Sequence, residues 1–315
     1  MVAGDPGARP QTGSDRVGRG CEGVKPVLMF GTTGQVARCV LDSAGNAGLD
    51  VTALSRVNVD LADQDAIRAA IMAAPEGSVV VNAAAYTAVD QAESDEASCR
   101  AINAVAPTVM AEACHKRGFI FLHISTDYVF DGSKATPYFE GDPTNPQGVY
   151  GTTKLEGEAG VREVHDKWVI LRTAWVYSRY GKNFLKTMLR LGADRDSLGV
   201  VDDQRGCPTH AADIATALIT LVDQLRPDDV RFGLYHFCGR GGASWADFAD
   251  HIFAVQSDRW GRRPDVNRVT SADYPTPAKR PANSMLCSDR FSSAFGFTAP
   301  TWTESVQTVV EQLAP

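Results

Sequence analysis

No two of the seven cysteines stand close enough to form a CxxC pair, and their number is odd. That spacing argues against a disulfide scaffold or a zinc site and fits a reducing, cytoplasmic compartment. Long apolar runs are missing too: none approaches the roughly 18 residues that span a bilayer. Residues 1–25 are rich in Gly, Pro and Arg and have no apolar h-region, so they do not read as a secretory signal. They are expected to form a disordered tail, with the folded chain starting near Pro26. Basic residues are in deficit, with a net charge of −7 and no long basic stripe. Nucleic acid and an anionic membrane surface are therefore poor partners. What remains is ordinary for a globular enzyme: 315 residues, 44% apolar and 22% charged, enough to bury a large core.

Short apolar runs alternate with helical patterns. Strands are predicted at Val27–Phe30, Val51–Leu54, Ser78–Asn82, Phe119–Ile124 and Trp168–Leu171. Helices are predicted at about 35–46, 64–74, 96–117 and 151–163. This order implies an α/β fold, a doubly wound parallel sheet covered by helices on both faces. Such folds bind ligands beyond the carboxyl ends of the strands. Residues 26–177 are expected to form the dinucleotide-binding domain. After about 178 the order loosens, with helices near 183–192, 211–225, 244–255 and 303–313. Residues 178–315 are expected to be mainly a smaller lobe, with some segments returning to the sheet.

The motifs fall at strand exits. Gly31-Thr-Thr-Gly34-Gln35-Val36-Ala37 follows the first strand. Glycines there let the backbone turn and let a pyrophosphate approach a helix N-terminus, whose free N–H groups favour anions. Thr33, Gln35 and Val36 share that turn. Ser55-Arg56 ends the second strand where an acid would bind the ribose of NAD, so a 2′-phosphate and NADPH are expected, with NADH also usable. Asp60 and Leu61 frame the adenine in this reading, although Asp60 equally suits a helix cap. Asn82-Ala83-Ala84-Ala85-Tyr86 leaves room for ribose and phosphate. Ser125-Thr126-Asp127-Tyr128 offers a hydroxyl to a carbonyl oxygen, and Ser125 and Thr126 are both eligible. Tyr150 and Lys154, four apart on one helix face, complete the set. The ammonium is expected to favour the phenolate, so that the phenol exchanges a proton near neutral pH.

These residues resemble an extended short-chain dehydrogenase/reductase, and more narrowly the dTDP-4-dehydrorhamnose reductase family, from about Val27 to Gln312. The narrow motifs are Ser125-Thr-Asp-Tyr-Val-Phe130 and Arg172-Thr-Ala-Trp-Val-Tyr177, beside Val149-Tyr-Gly-Thr-Thr-Lys154, Asn183-Phe184 and Arg280-Pro281. The resemblance implies Thr126, Tyr150 and Lys154 as the catalytic set. It also implies reduction of the C4 ketone of dTDP-4-dehydro-β-L-rhamnose, with Lys154 on the nicotinamide ribose. Asp127, Tyr128, Trp175, Asn183 and Arg280 are the implied substrate-side residues, Arg280 as a diphosphate partner. Some relatives dimerise through a metal held partly by a glutamate just after the glycine turn. Here that stretch is Arg38-Cys-Val-Leu41, so no metal is expected and the chain is read as a monomer or homodimer. Two rival readings share the fold. One is a reductase or epimerase of another nucleotide-linked keto sugar. The other is a non-catalytic regulatory subunit like that of methionine adenosyltransferase.

Overall fold

The structure is a computed structural model that describes residues 25–261 and 263–313. The tail expected over 1–25 lies outside these residues except for Lys25, whose ammonium donates to the Val222 and Leu225 carbonyls at 2.9 and 2.7 Å. Among the described residues no helix is long and apolar enough to cross a membrane.

Five strands of the main sheet come from the first 173 residues: β1 (Pro26–Phe30), β2 (Asp50–Leu54), β3 (Val79–Asn82), β4 (Ile120–Thr126) and β5 (Trp168–Thr173). A sixth, Gly233–His236, returns from the second half of the chain to lie beside β5. The spatial order is that sixth strand, then β5, β4, β3, β1 and β2, with every pairing parallel. Sequence parity assigns side chains to faces, because successive residues of a strand point to opposite sides. Val27, Met29, Val79, Val81, Ile120 and Leu122 pack against α1 (Gln35–Ala44) and the helix Ala211–Gln224. Leu28, Phe30, Val80, Phe121 and Ile170 pack on the other side against α2 (Gln64–Met72) and the helix Ala106–Arg117. Each such side chain contributes about 1.5–3 kcal/mol by leaving water, so both faces are held strongly.

The sequence pattern over 96–117 predicts one helix. The structure instead has Glu96–Arg100, a wider π-helical stretch at Ala101–Val105, and then Ala106–Arg117. Pro107 has no N–H to return to Asn103, and its ring crowds that carbonyl. A wide turn relieves the crowding. It also turns the Asn103 side chain toward the loop after β3, where it accepts from Tyr86 N at 2.9 Å and donates to Tyr86 O at 3.0 Å.

The second half of the chain builds a separate core from Tyr177, Leu185, Phe248, Ile252, Phe253 and Val309, among others. Its strands are short. Ser197–Val201 pairs with Asp265–Val269, and several others have two residues each. The result is the Rossmann-like parallel sheet with a smaller C-terminal region.

Candidate active site

One cleft of about 850 Å³ runs along the carboxyl ends of the strands. Its floor begins at the glycine turn. Gly31 has φ +114°, a conformation that L side chains rarely adopt, and a Cβ there would stand 3.2 Å from the Ala83 carbonyl oxygen. Glycine is thus needed both for the turn and for the close approach of the loop after β3. Gly34 precedes α1 with no side-chain cap, and the first turn holds no acidic residue. The free N–H groups of α1 therefore face the cleft with the positive end of the helix dipole. A pyrophosphate fits that arrangement.

Ser55, Arg56, Asp60 and Leu61 line the same cleft, beyond β2. Arg56 is 82% exposed and meets Asp60 at 3.5 Å, a contact that water screens heavily. Its guanidinium is free to turn to a phosphate. The helix-cap role open to Asp60 belongs to Asp63, which accepts from Asp65 N and Ala66 N, while Asp60 accepts from Ala62 N. Ala83, Ala84 and Ala85 form the next stretch of wall. Tyr86 does not line the cleft. Its hydroxyl donates to Asp95 at 3.2 Å and its backbone is clamped by Asn103.

At the far end β4 delivers its hydroxyls in opposite directions. Ser125 donates to Glu158 at 2.5 Å, and Glu158 also accepts two bonds from Arg172 at 2.9 and 2.6 Å, all of them buried. That proton is committed to the interior. Thr126 donates to Asp127 at 3.0 Å and accepts from Tyr128 N at 3.2 Å. Thr126 and the Tyr150 phenol line the same end of the cleft. Tyr128 meets the Tyr150 ring edge-on, with centroids 5.6 Å apart. Two buried oxygens at this end, Asp127 Oδ2 and Thr173 Oγ1, have no hydrogen-bond partner among the described residues. Buried polar atoms seldom stay unpaired, so they suit a polar ligand.

The electrostatics differ from the expectation. Burial pushes the Tyr150 phenol up to about 12; the nearby Thr126 hydroxyl opposes this, and the charges of Asp127 and Cys99 add to it. The Lys154 ammonium is engaged by other partners. It donates to the Ile124 carbonyl at 2.7 Å and lies 3.3 Å from His123 Nε2. Burial lowers Lys154 to about 8, against the pull of Glu158 and Cys99. Tyr150 is therefore a neutral phenol at pH 7, with its proton in place to give. Burial also raises Asp127 to about 6, against the hydrogen bond from Thr126.

Trp175 lines the cleft opposite, with a positive φ of 45°. Its ring stacks on Trp245 at 3.5 Å with 3° between planes, and Trp245 donates to Gln204 at 3.2 Å. A Cβ on Gly206 would come 2.3 Å from the Trp175 ring, so the ring sits where glycine leaves room. Two expected substrate residues stand outside the cleft because their polar groups are engaged elsewhere. Asn183 caps a helix through Lys186 N and donates to Gln35, Ser178 and Tyr180. Arg280 forms a two-pronged pair with Asp90 at 2.9 and 3.1 Å. Sequence reasoning overlooked His123, Thr173 and Trp245. The first two share the signal that exposed Thr126, a polar residue in or ending an apolar strand. Trp245 carried none, since its partner is 70 residues away.

The chain matches the family described as the RmlD substrate binding domain over residues 25–314. It is 45% identical over 288 residues to the dTDP-4-dehydrorhamnose reductase of Sinorhizobium fredii, covering 90% of this chain and 96% of that one. The crystal structure of a dTDP-4-dehydrorhamnose reductase from Clostridium acetobutylicum superposes with a TM-score of 0.85 at 36% identity, over 91% of this chain and 99% of that one. The Bacillus anthracis reductase, solved in complex with NADP, gives a TM-score of 0.85 at 30% identity, over 92% and 99%. The chain belongs to the dTDP-4-dehydrorhamnose reductase family.

Proposed function

We propose that this protein reduces the C4 ketone of dTDP-4-dehydro-β-L-rhamnose to dTDP-L-rhamnose, the last step of dTDP-rhamnose synthesis, using NADPH and less readily NADH. The observation that carries this reading is the meeting of the α1 N-terminus, Thr126, Tyr150 and Lys154 in one cleft. A reduced nicotinamide supplies hydride to the carbonyl carbon when bound. Gly31, Thr33, Gly34, Gln35 and Val36 hold its pyrophosphate, and Ala83, Ala84 and Ala85 give the chain room to pass. Ser55 and Arg56 take the 2′-phosphate. Lys154 turns from Ile124 to the ribose hydroxyls.

Tyr150 gives its proton to the alkoxide as it forms. A phenol held neutral by burial suits that role, because the acid must arrive protonated. Thr126 acts on both partners. Its hydroxyl lines the cleft with the phenol, and on turning from Asp127 it orients the ketone before transfer. Tyr128 and Trp175 present aromatic faces to the apolar side of the 6-deoxysugar. Asp127 offers its unpaired oxygen to a sugar hydroxyl. Asn183 acts indirectly, by fixing Gln35. Arg280 reaches the diphosphate only by releasing Asp90. The cytoplasm is the compartment this chemistry needs, and the chain works there as a monomer or homodimer.

The test supplies dTDP-4-keto-6-deoxyglucose, made enzymatically and epimerised, and follows reduced-nicotinamide absorbance. Stoichiometric oxidation with dTDP-L-rhamnose as product is expected. No sugar-dependent oxidation, or release of an epimer with no net oxidation, would reject the reading.

A further inference from the structure

At the opposite end of the sheet from the cleft, two helices finish and β4 and β5 begin. His115 lies in the last turn of Ala106–Arg117, and His165 caps the helix Val149–Val164, followed at once by Asp166. The ligand atoms of these three residues all lie within 4.8 Å of one another. His165 Nδ1 is 3.6 Å from Asp166 Oδ1, and His115 Nδ1 is 3.8 Å from the same oxygen. Both separations are too long for hydrogen bonds. They are close to the roughly 3.3 Å that separates two ligands of a tetrahedral ion with bonds of about 2.0–2.1 Å.

The second observation is the state of His165. Its side chain is 1% exposed. Its Nε2 lies 3.0 Å from the Phe119 carbonyl oxygen, which can only accept, so Nε2 carries the proton. Nδ1 is then a lone pair, buried and without a hydrogen-bond partner among the described residues, and it faces His115 and Asp166. A ring N–H given to a backbone carbonyl, with the other nitrogen free, is how metal-binding imidazoles are usually oriented. The two further ligands are 60% and 75% exposed, so they can swing inward and leave an entry path.

We propose that His115 Nδ1, His165 Nδ1 and a carboxylate oxygen of Asp166 form a binding site for a divalent transition metal of the zinc, nickel or copper class. Two imidazoles and one carboxylate suit such ions and not magnesium or calcium, which take oxygen. Water completes the coordination. The bound ion ties the end of one helix to the turn that enters β5. It serves as a clasp and takes no part in the reaction, because the cleft lies beyond the other end of the strands.

The test uses the full chain, reduced, free of any affinity tag and treated with chelator. Zinc is titrated by calorimetry, and cobalt replaces it for absorption spectroscopy. One ion per chain is expected, together with a higher Tm and a cobalt spectrum without a thiolate charge-transfer band. His115→Ala and Asp166→Asn change exposed side chains and should leave the fold intact. Each should weaken zinc binding by at least about 10-fold, the lower end of the loss seen for removal of even an outer-shell partner. His165→Asn should do the same if it folds, but the two surface variants decide the matter alone. Unchanged affinity in both, no binding at millimolar zinc, or a thiolate band pointing to the cysteines would overturn the proposal. Magnesium should leave the Tm unmoved; an equal rise with magnesium would also count against it.

Discussion

The two halves of this molecule hold themselves together by different means. The sheet half rests on aliphatic strand faces in register, with five parallel pairings and helices on both sides. The C-terminal region rests on rings: Trp175 on Trp245, Phe184 tilted on Trp245, and Phe248 between Tyr177 and Trp302. Ladders fix backbone positions to within a hydrogen bond, which a phosphate cradle needs. Aromatic stacks instead fix side chains, in offset or edge-on geometries set by the ring quadrupole. The contrast separates a half held by backbone ladders from one in which side-chain rings meet.

The largest effect should come where the halves meet. Tyr150→Phe removes the proposed proton donor but no packing, so kcat is expected to fall by about 10²–10⁴-fold. The dissociation constant for NADPH, measured by fluorescence titration, should stay within about twofold. A turnover loss below tenfold would shift the donor role elsewhere. Within the cradle, Gly31→Val forces a β-branched residue to φ +114° against Ala83. Strain of about 1–3 kcal/mol should weaken cofactor affinity by roughly 5–150-fold and leave Trp175 in place. Equilibrium dialysis with NADPH reads this directly.

The pH profile separates the two ionisable partners. Lys154 titrates at about 8 because burial disfavours its charge. The charged form is the one proposed to hold ribose hydroxyls, so kcat/KM should fall as pH rises through about 8, approaching tenfold per unit. A profile flat up to the Tyr150 range, near 12, would mean that the ammonium is not needed. In the ring-built region, Trp245→Ala removes the ring under Trp175. It should raise the sugar KM by about 5–10-fold, in line with loss of about 1 kcal/mol of aromatic contact. Cofactor affinity should be unaffected. If both constants moved together, the two halves would not be separable. Arg56→Ala should have the smallest effect, reducing the preference for NADPH over NADH by about fivefold, since an exposed charge gives about 1 kcal/mol or less.

The sheet half was largely readable from the residues. Runs such as Val79-Val80-Val81 have no other stable use than a strand covered on both faces, and every predicted strand lies within about two residues of its place. Gly31 was readable because a turn between strand and helix constrains residue type strongly. The C-terminal region was less legible. Four of its helices were expected, but Asp289–Phe295 was not; Gly233–His236 is only four residues long, and nothing local says that it joins β5. The wide turn at Ala101–Val105 was hidden because it has no residue signature of its own and only Pro107 marks it. Within the site, residue types at strand exits were visible, but their commitments were not. Ser125 and Thr126 look equivalent until Glu158 claims one hydroxyl. Arg280 and Asn183 look free until Asp90 and a helix start engage them.

Glu158 and Arg172 face each other with 0% and 2% of their side chains exposed, one turn of helix beyond Lys154. Swapping either member for an uncharged residue would maroon an opposite charge in the interior, typically at about 3–5 kcal/mol. A lineage drifting at these two positions must change both together or neither. They should therefore behave as one inherited character across relatives, whatever happens to the sugar each has come to accept.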